Sequence, residues 1–340
     1  MSRTSSVPSR VEGLDSIRFF AVLWVVFSHC GSPPLTTGLD RENLLALGVQ
    51  GVYGNLFAGV PAVIVFFVIS GFCIHHPFRH PGSFRLLPYL TRRYVRIGVP
   101  LLAAVVLASP LGVKLTLFQN SVLWSLLAEL IYYTVYPVLR KIRSRMGWNW
   151  ILAASLVLAY GVVVFFPLAK DYSPFGPVLA SVVAFPCWLL GCKLAEQSTE
   201  RPAATMESMA RRLWTWRLTV WFLSWVCSAL RFHSPIGYPW TLNLFAFAVF
   251  FWLRAEISVS GRWERSRALE WAGTWSYSVY LVHLVAEAAH AQMPLPNLGF
   301  NLNWLVKMFV IFGASHVFYL LVEKPGHHVA RQLAKRVARN

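Results

Sequence analysis

Long apolar segments, separated by short polar ones, run along almost the whole chain. A helix needs about 20 mostly apolar residues to cross the hydrocarbon core of a bilayer. Segments of that kind lie at 14–31, 56–77, 95–113, 120–139, 149–167, 175–195, 213–231, 238–254, 269–291 and 303–322. The pattern therefore predicts an all-α integral membrane protein, a bundle of about ten transmembrane helices.

The basic residues between these segments predict the orientation. Lysine and arginine are concentrated in cytoplasmic loops of membrane proteins. If the N-terminus is cytoplasmic, the residues of this kind that fall on the outer side are Arg41, Lys114, Lys170, Arg231 and Lys307, out of 31 in all. We therefore expect both termini in the cytoplasm, and one membrane domain over residues 1–340 with no separate soluble domain.

The first apolar segment resembles a secretory signal, because Arg3 and Arg10 precede it. A signal peptide ends in a small-residue cleavage site. The residues from Phe27 to Ser32 contain no such site. We therefore interpret this segment as an uncleaved first span.

The composition excludes several other classes. Charged residues make up 13% of the chain and hydrophobic residues 56%, whereas a soluble domain carries about 25% charged residues. The net charge of +17 is spread among the loops, so we expect a lipid bilayer and no nucleic acid as partner. No internal repeat is visible, which disfavours transporters built from two related halves.

Metal and disulfide chemistry are not expected. The chain has five cysteines and no C-x-x-C pair, so neither a zinc site nor a disulfide framework is predicted. His75, His76 and His80 are close in sequence, but no cysteine or carboxylate accompanies them at ligand spacing.

Two polar residues of the first span lie on the same helical face. Arg18 and His29 are eleven residues apart, which on an α-helix is about 20° in direction and about 16 Å in height. Asp15 lies one turn before Arg18 and is placed to pair with it. Histidine is a common general base near neutral pH. The alternative is that Arg18 snorkels to the interface and His29 lies among the headgroups.

The sequence predicts a cationic surface on the cytoplasmic side, formed by Arg92, Arg93 and Arg96. If this stretch is helical, the first two arginines each lie within a turn of Arg96. The phosphates of an acyl donor such as coenzyme A need a basic site of this kind. Together with a histidine base, the pattern is consistent with acyl transfer to a hydroxyl, although a topology signal alone also explains these charges.

Three further ionisable residues lie within apolar segments, where such groups are costly and usually functional. Glu129 is expected to act in the reaction or to orient a catalytic group. For His283, a functional role and a hydrogen bond between helices remain equal alternatives. Glu323, at the end of the last span, is expected to close the bundle against an arginine.

These residues belong to ordered segments that resemble the acyltransferase-3 family, bacterial membrane enzymes that acylate sugars and related molecules. The segments are Gly13 to Arg18 with His29, Phe66 to Phe72, Arg92 to Ile97, Trp124 to Leu126 with Glu129, Tyr277 to His283, and Glu323 to Pro325.

The resemblance implies a ten-helix bundle with cytoplasmic ends, cytoplasmic acyl-CoA as donor and an acceptor on the other side of the membrane. The R-x10-H motif falls on Arg18 and His29 and implies a catalytic role for His29. The R-x-x-R motif falls on Arg93 and Arg96 and implies donor binding. Supporting roles fall on Asp15, Ser70, Arg92, Tyr277, His283 and Glu323.

The chain departs from its relatives at two points. Many relatives have a second acidic residue after the one that matches Glu129, where this chain has Leu130. Many also carry a C-terminal SGNH esterase-like domain, whereas this sequence ends soon after Glu323. We therefore expect the domain to work alone or with a separate periplasmic acylation partner.

The expected activity is O-acylation, most simply O-acetylation, in the bacterial inner membrane. Acyl-CoA is expected as a co-substrate, with no bound cofactor, and the acceptor as an exopolysaccharide, an O-antigen or a lipid-linked glycan. One alternative is acylation of a small molecule such as a macrolide or a signalling oligosaccharide. Another is secondary transport, in which the same buried charges relay a proton or a substrate.

Overall fold

The computed structural model describes residues 11–39, 42–79, 84–115, 123–198, 206–260 and 265–339, and these residues form helices and no β-strand. The helices are α1 (Leu14–Cys30), α2 (Leu44–Gly54), α3 (Gly59–His75), α4 (Leu86–Ala108), α5 (Trp124–Val164), α6 (Gly176–Gln197), α7 (Met206–His233), α8 (Tyr238–Ser258), α9 (Arg267–Gly273), α10 (Ser276–Ala291), α11 (Phe300–Phe318) and α12 (Lys324–Val337). Of the residues used above, Arg3, Arg10, Arg41, His80 and the segment 120–122 lie outside these ranges.

The helices make this a multi-pass membrane protein. Within the described residues, six helical segments are long and apolar enough to cross a bilayer. They are Leu44–Phe78, Leu86–Leu111, Trp124–Val164, Ser173–Gln197, Tyr238–Ser258 and Phe300–Val337. Each of the ten segments predicted from the sequence overlaps a helix, although α1 and α10 have only 17 and 16 residues.

The longest helix, α5, holds two of the predicted segments. Gly147 interrupts it with φ 72° and ψ 160°, a conformation that glycine adopts without the steric cost of a Cβ. The two parts of α5 are therefore separate helical segments on either side of Gly147, which matches the predicted polar break between 139 and 149.

Two predicted boundaries are wrong. The segment 269–291 is not one helix, because α9 ends at Gly273 and α10 begins at Ser276. The break lets Gly273 approach α1 so closely that a Cβ there would lie 1.8 Å from the carbonyl oxygen of Asp15. The third segment starts nine residues earlier than 95, at Leu86, so that the arginines at 92, 93 and 96 all belong to α4.

Helix α3 forms the centre of the bundle and packs closely against α6. A Cβ at Gly71 would lie 2.0 Å from the carbonyl oxygen of Trp188, and a Cβ at Gly191 would lie 2.0 Å from that of Val68. Small residues at membrane helix interfaces allow backbones to approach in this way. This contact fixes α3, which carries Ser70, against its neighbours.

Polar contacts fix the beginning of α1. Glu270 on α9 accepts hydrogen bonds at Oε1 from the backbone N–H of Ser16 (3.0 Å) and from its hydroxyl (2.5 Å). Buried Glu256 on α8 accepts from Arg217 Nε (2.7 Å) and from Arg265 Nη1 (2.9 Å). The bonds of Glu270 hold the beginning of α1, and with it Arg18, in a defined position, whereas those of Glu256 join α7, α8 and Arg265.

Candidate functional site

A cavity of about 640 Å³ opens between α1, α3, α4, α5 and α10. Its volume is within the range of small-molecule sites, roughly 300–1,000 Å³. The polar residues that line it are Asp15, Arg18, Ser70, His76, Arg92, Arg93, Arg96, Ser125, Glu129, Tyr133, Thr274, Ser276, Tyr277, Tyr280, Glu323, His327 and Arg331. The cavity therefore brings together most of the site residues predicted from the sequence.

One end of the cavity is strongly basic. We call Arg92, Arg93, Arg96 and Arg331 the arginine cluster; the first three come from α4 and Arg331 comes from α12. The helical arrangement predicted for the α4 arginines is confirmed. The guanidinium of Arg93 lies over the rings of Tyr89 and Tyr133, at 5.9 and 5.7 Å.

The positive charge of the arginine cluster is not offset by salt bridges within the described residues. None of its members forms a salt bridge with a carboxylate in the part of the chain that the structure describes. Charges of one sign in a cleft with low-dielectric walls produce a strong field. This end of the cavity therefore suits a ligand with several negative charges.

Arg18 lines the cavity, and its predicted partner is confirmed. Its Nη1 lies 2.5 Å from Oδ1 of buried Asp15, and its Nη2 lies 3.1 Å from the Sγ of Cys73. The contact with Cys73 joins α1 to α3. Two partners on different helices hold the guanidinium at a fixed point of the cavity wall.

Glu129 bonds within the cavity wall and not with His29. Its Oε1 accepts a hydrogen bond from the hydroxyl of Ser70 (2.5 Å) and another from that of Tyr133. The indole N–H of Trp188 in turn lies 3.3 Å from Oγ of Ser70. The described hydrogen bonds of Glu129 go to α3 and to its own helix and not to His29, whereas a direct part in the reaction stays a prediction.

At the opposite end of the cavity, the hydroxyls of Ser125 and Tyr280, which both line it, form a hydrogen bond of 2.6 Å. This bond joins α5 to α10. Val63 on α3 also lines this end of the cavity. It lies four residues, or about 6 Å along the helix, after Gly59, which is the first residue of α3.

His29 lies beyond this end of the cavity and does not line it. It is exposed near the last residue of α1, and its Nε2 would lie 3.8 Å from a Cβ at Gly59, the first residue of α3. The ring of His283 lies 5.4 Å from that of His29, centroid to centroid. The catalytic residue proposed from the sequence is therefore grouped with His283.

Two supporting residues hold the cavity wall. The hydroxyl of Tyr277 donates to the carbonyl oxygen of Ile97 on α4 at 3.2 Å. Glu323 is 1% exposed and accepts a hydrogen bond of 2.5 Å from the hydroxyl of Ser278. Its closest basic group within the described ranges is His327 Nε2, at 3.5 Å. Arg96 also acts on this carboxylate electrostatically, and the expected closure of the bundle against an arginine stays a prediction.

His75 belongs to a different cluster. Its Nδ1 lies 2.9 Å from the hydroxyl of Tyr136, and its Nε2 lies 2.6 Å from Oε1 of Glu196. Glu196 also pairs with Arg143 at 2.6 Å. The contacts join α3, α5 and α6 beside the break at Gly147, and both ring nitrogens of His75 are engaged.

Several residues of the site were missed in the sequence. Tyr133 lies four residues after Glu129, a spacing that puts both on one helical face and was available as a signal. Ser125 lies four residues before Glu129 and Tyr280 lies three after Tyr277, so the same kind of spacing was available for them. His327 and Arg331 follow Glu323 at intervals of four residues, beyond the last predicted span.

Comparisons with known proteins agree with this site. The model of the acyltransferase-3 family, described as an acyltransferase domain, matches residues 11–322. Nodulation protein 10 of Rhizobium leguminosarum bv. viciae is similar, with 23% identity over 375 residues, which cover 96% of this chain and 95% of that protein. No solved structure matches the chain. The family match spans His29, most of the residues that line the cavity and the helices α1 to α11, and the chain therefore belongs to the acyltransferase-3 family of membrane acyltransferases.

Proposed function

We propose that this protein transfers an acyl group, most simply acetyl, from cytoplasmic acyl-CoA to a hydroxyl of a glycan outside the cytoplasm. The acceptor is an exopolysaccharide, an O-antigen or a lipid-linked precursor, and the protein works in the bacterial inner membrane. The observation that carries the proposal is one cavity with the arginine cluster, which makes no salt bridge with a described carboxylate, at one end and His29 beyond the other.

In this proposal the chain crosses the membrane about ten times and both ends are cytoplasmic. The two parts of α5 then form a hairpin whose turn, at Gly147, follows Arg140, Lys141, Arg143 and Arg145. Such a basic turn is typical of the cytoplasmic side. The arginine cluster lies on the same side, where acyl-CoA is available.

The donor spans the cavity from the arginine cluster towards His29. The phosphates of coenzyme A bind the guanidinium groups, which suit phosphate geometry. The flexible arm that ends in the thioester then runs past Arg18, from which His29 is about 16 Å away along α1. To reach the outer end, the arm passes between Ser125 and Tyr280 and breaks their hydrogen bond. Glu129 holds Ser70 and Tyr133 in the wall of the donor site.

His29 acts as the general base. The acceptor oxygen forms a bond with the acyl carbon, the carbon–sulfur bond of the thioester breaks, and the hydroxyl proton passes through His29 to the sulfur of coenzyme A. General-base catalysis contributes roughly 10²–10⁴-fold to such a step. The amino end of α3, beside His29, supplies partial positive charge where the oxyanion forms. A route in which His29 first carries the acyl group uses the same groups.

The acceptor must present a hydroxyl to His29. The name of the relative in Rhizobium associates that protein with nodulation and states no acceptor. An acylated signalling oligosaccharide, a macrolide and a polymer all present a hydroxyl to His29 in the same way. We favour a glycan because His29 is exposed at the outer end of the bundle, where a large acceptor has access.

The test is acyl transfer in inverted membrane vesicles, with labelled acetyl-CoA on the cytoplasmic face and the glycan fraction analysed for label. Wild type is compared with His29→Ala and with His328→Ala, which removes an exposed histidine of α12 outside the cavity. We expect label in glycan with wild type and His328→Ala, and a loss of at least about 10²-fold with His29→Ala.

Two results would contradict the proposal. Full activity of His29→Ala, in protein that inserts normally, rejects the role of His29. No transfer by wild type from acetyl-CoA or succinyl-CoA to glycan rejects the donor and acceptor together, and a transport assay on the same vesicles then tests the transporter alternative.

A further inference from the structure

His283 has a defined tautomer. Its ring is completely buried on α10, and its Nδ1 lies 2.8 Å from the carbonyl oxygen of Tyr280 and 3.1 Å from that of Val279. A carbonyl oxygen only accepts hydrogen bonds, so Nδ1 carries the proton and donates it. The neutral ring therefore has its lone pair on Nε2.

That lone pair has no hydrogen-bond partner among the described residues, although Nε2 is buried. The great majority of buried polar side-chain atoms are hydrogen-bonded, and an exception calls for an explanation. The rings next to His283 are those of His29 (5.4 Å) and Tyr280 (6.2 Å). Tyr280 already bonds with Ser125 through its hydroxyl, and no hydrogen bond from the ring of His29 to a described residue accompanies its contact with His283.

We propose that His283 is a positioning residue for His29, an inference that rests on the proposed function. A small rotation of the exposed His29 side chain brings one of its ring N–H groups to Nε2 of His283. The hydrogen bond fixes the tautomer of His29, because the nitrogen that donates to His283 keeps its proton. The other nitrogen then presents its lone pair to the acceptor hydroxyl.

The bond with His283 sets the orientation of the His29 ring. In other histidine-dependent sites a buried acceptor has the same effect through the second ring nitrogen. The bond also stabilises His29 while it holds the proton of the acceptor hydroxyl. His283 itself touches neither donor nor acceptor. Its two backbone acceptors on α10 keep it from rotating, so that Nε2 stays directed at the outer end of α1.

Two substitutions separate this role from simple core packing. His283→Gln places an amide oxygen near the position of Nε2 and keeps an acceptor for His29. His283→Leu fills a similar volume and removes the acceptor. Neither variant keeps the imidazole Nδ1–H that bonds with Val279 and Tyr280, so the structural cost of that change is common to both.

The experiment measures kcat and KM for acyl-CoA in purified, detergent-solubilised protein, together with the melting temperature of each variant. We expect His283→Leu to lower kcat by roughly 10- to 100-fold, the usual effect of removing the partner of a functional histidine, with KM for acyl-CoA unchanged within about threefold. His283→Gln is expected to recover most of kcat. In the background of His29→Ala, His283→Leu is expected to have no further effect, because both changes act through one group.

Other outcomes overturn the inference. If His283→Leu keeps the kcat of wild type, or if the Gln and Leu variants lose activity equally, His283 has no positioning role. Failure of the proposed function gives a different result from failure of this inference, because His29→Ala is then as active as wild type. An inactive His29→Ala beside a fully active His283→Leu rejects the present inference alone.

Discussion

The hydroxyl of Ser70 on α3 donates a hydrogen bond of 2.5 Å to Oε1 of Glu129 on α5, and Tyr133 donates to the same oxygen. A carboxylate in a membrane domain is costly unless it is paired or hydrated, and here two hydroxyls and the cavity fulfil that requirement. The relationship places Glu129 in the wall of the cavity and apart from His29.

The first prediction concerns Glu129. Glu129→Gln keeps an acceptor oxygen for both hydroxyls and is expected to retain most of the activity. Glu129→Leu leaves both hydroxyls without their acceptor, at a cost of about 1–3 kcal/mol for each, and is expected to lose stability and activity together. Thermal unfolding and the vesicle assay measure the two effects. A Gln variant as inactive as the Leu variant would show that the negative charge itself takes part in the reaction.

The second prediction concerns the arginine cluster. Arg96→Ala removes a charge that makes no salt bridge with a described residue, so the fold is expected to be unaffected. A charge-assisted hydrogen bond contributes about 1.5–3 kcal/mol, and acyl-CoA is therefore expected to bind roughly 10- to 100-fold more weakly. Titration calorimetry measures the affinity.

Arg145→Ala is the control for this variant, because Arg145 is exposed and lies outside the cavity. Its affinity for acyl-CoA is expected to equal that of wild type. Equal losses in the two variants would indicate a general effect of surface charge and would contradict a phosphate site at Arg96.

The third prediction concerns the contact between α3 and α6. Gly191→Ala places a Cβ 2.0 Å from the carbonyl oxygen of Val68, so the two backbones must move apart, at a cost of at least about 1–3 kcal/mol. Gly161→Ala on α5 meets no atom within 4 Å and gains helix propensity. The melting temperature in detergent is expected to fall for Gly191→Ala and to stay or rise for Gly161→Ala. Equal melting temperatures would contradict the close packing of α3 on α6.

The fourth prediction concerns the topology. In a variant without the five native cysteines, Thr37→Cys and Asn297→Cys are expected to react with an impermeant maleimide added outside intact cells. Ser144→Cys, in the basic stretch before Gly147, is expected to react only after permeabilisation. All three positions are exposed. Labelling of positions 37 and 144 from the same side would reject the proposed arrangement of about ten spans with cytoplasmic ends.

Much of the fold was predictable because the bilayer constrains the sequence directly. Each helix that crosses lipid must satisfy its own backbone groups over a length set by the membrane, and so every predicted segment overlaps a helix. The break between α9 and α10 was not predictable. It depends on the close approach of Gly273 to Asp15, a contact between residues more than 250 positions apart.

The site was predictable to the extent that its residues share a helix. Asp15 and Arg18 are one turn apart on α1, and the arginines of α4 are within one turn of one another, so the helical period alone brings each group together. The hydrogen-bond partner of Glu129 on another helix was not predictable, because helical spacing cannot tell which of the neighbouring helices a side chain meets. Ser70 is supplied by α3, and the packing of α3 decides that contact.

The sequence by itself determined that this is a helical membrane protein, which residues are ionisable within its apolar segments and, through ordered motifs, its family. These properties follow from local composition and from the fixed period of the helix. Only the tertiary structure decided that Glu129 bonds with Ser70 in the cavity wall, that the hydroxyls of Ser125 and Tyr280 are joined, and that the rings of His29 and His283 meet. Each of these is a contact between different helices, and such contacts depend on the angles and depths at which the helices pack.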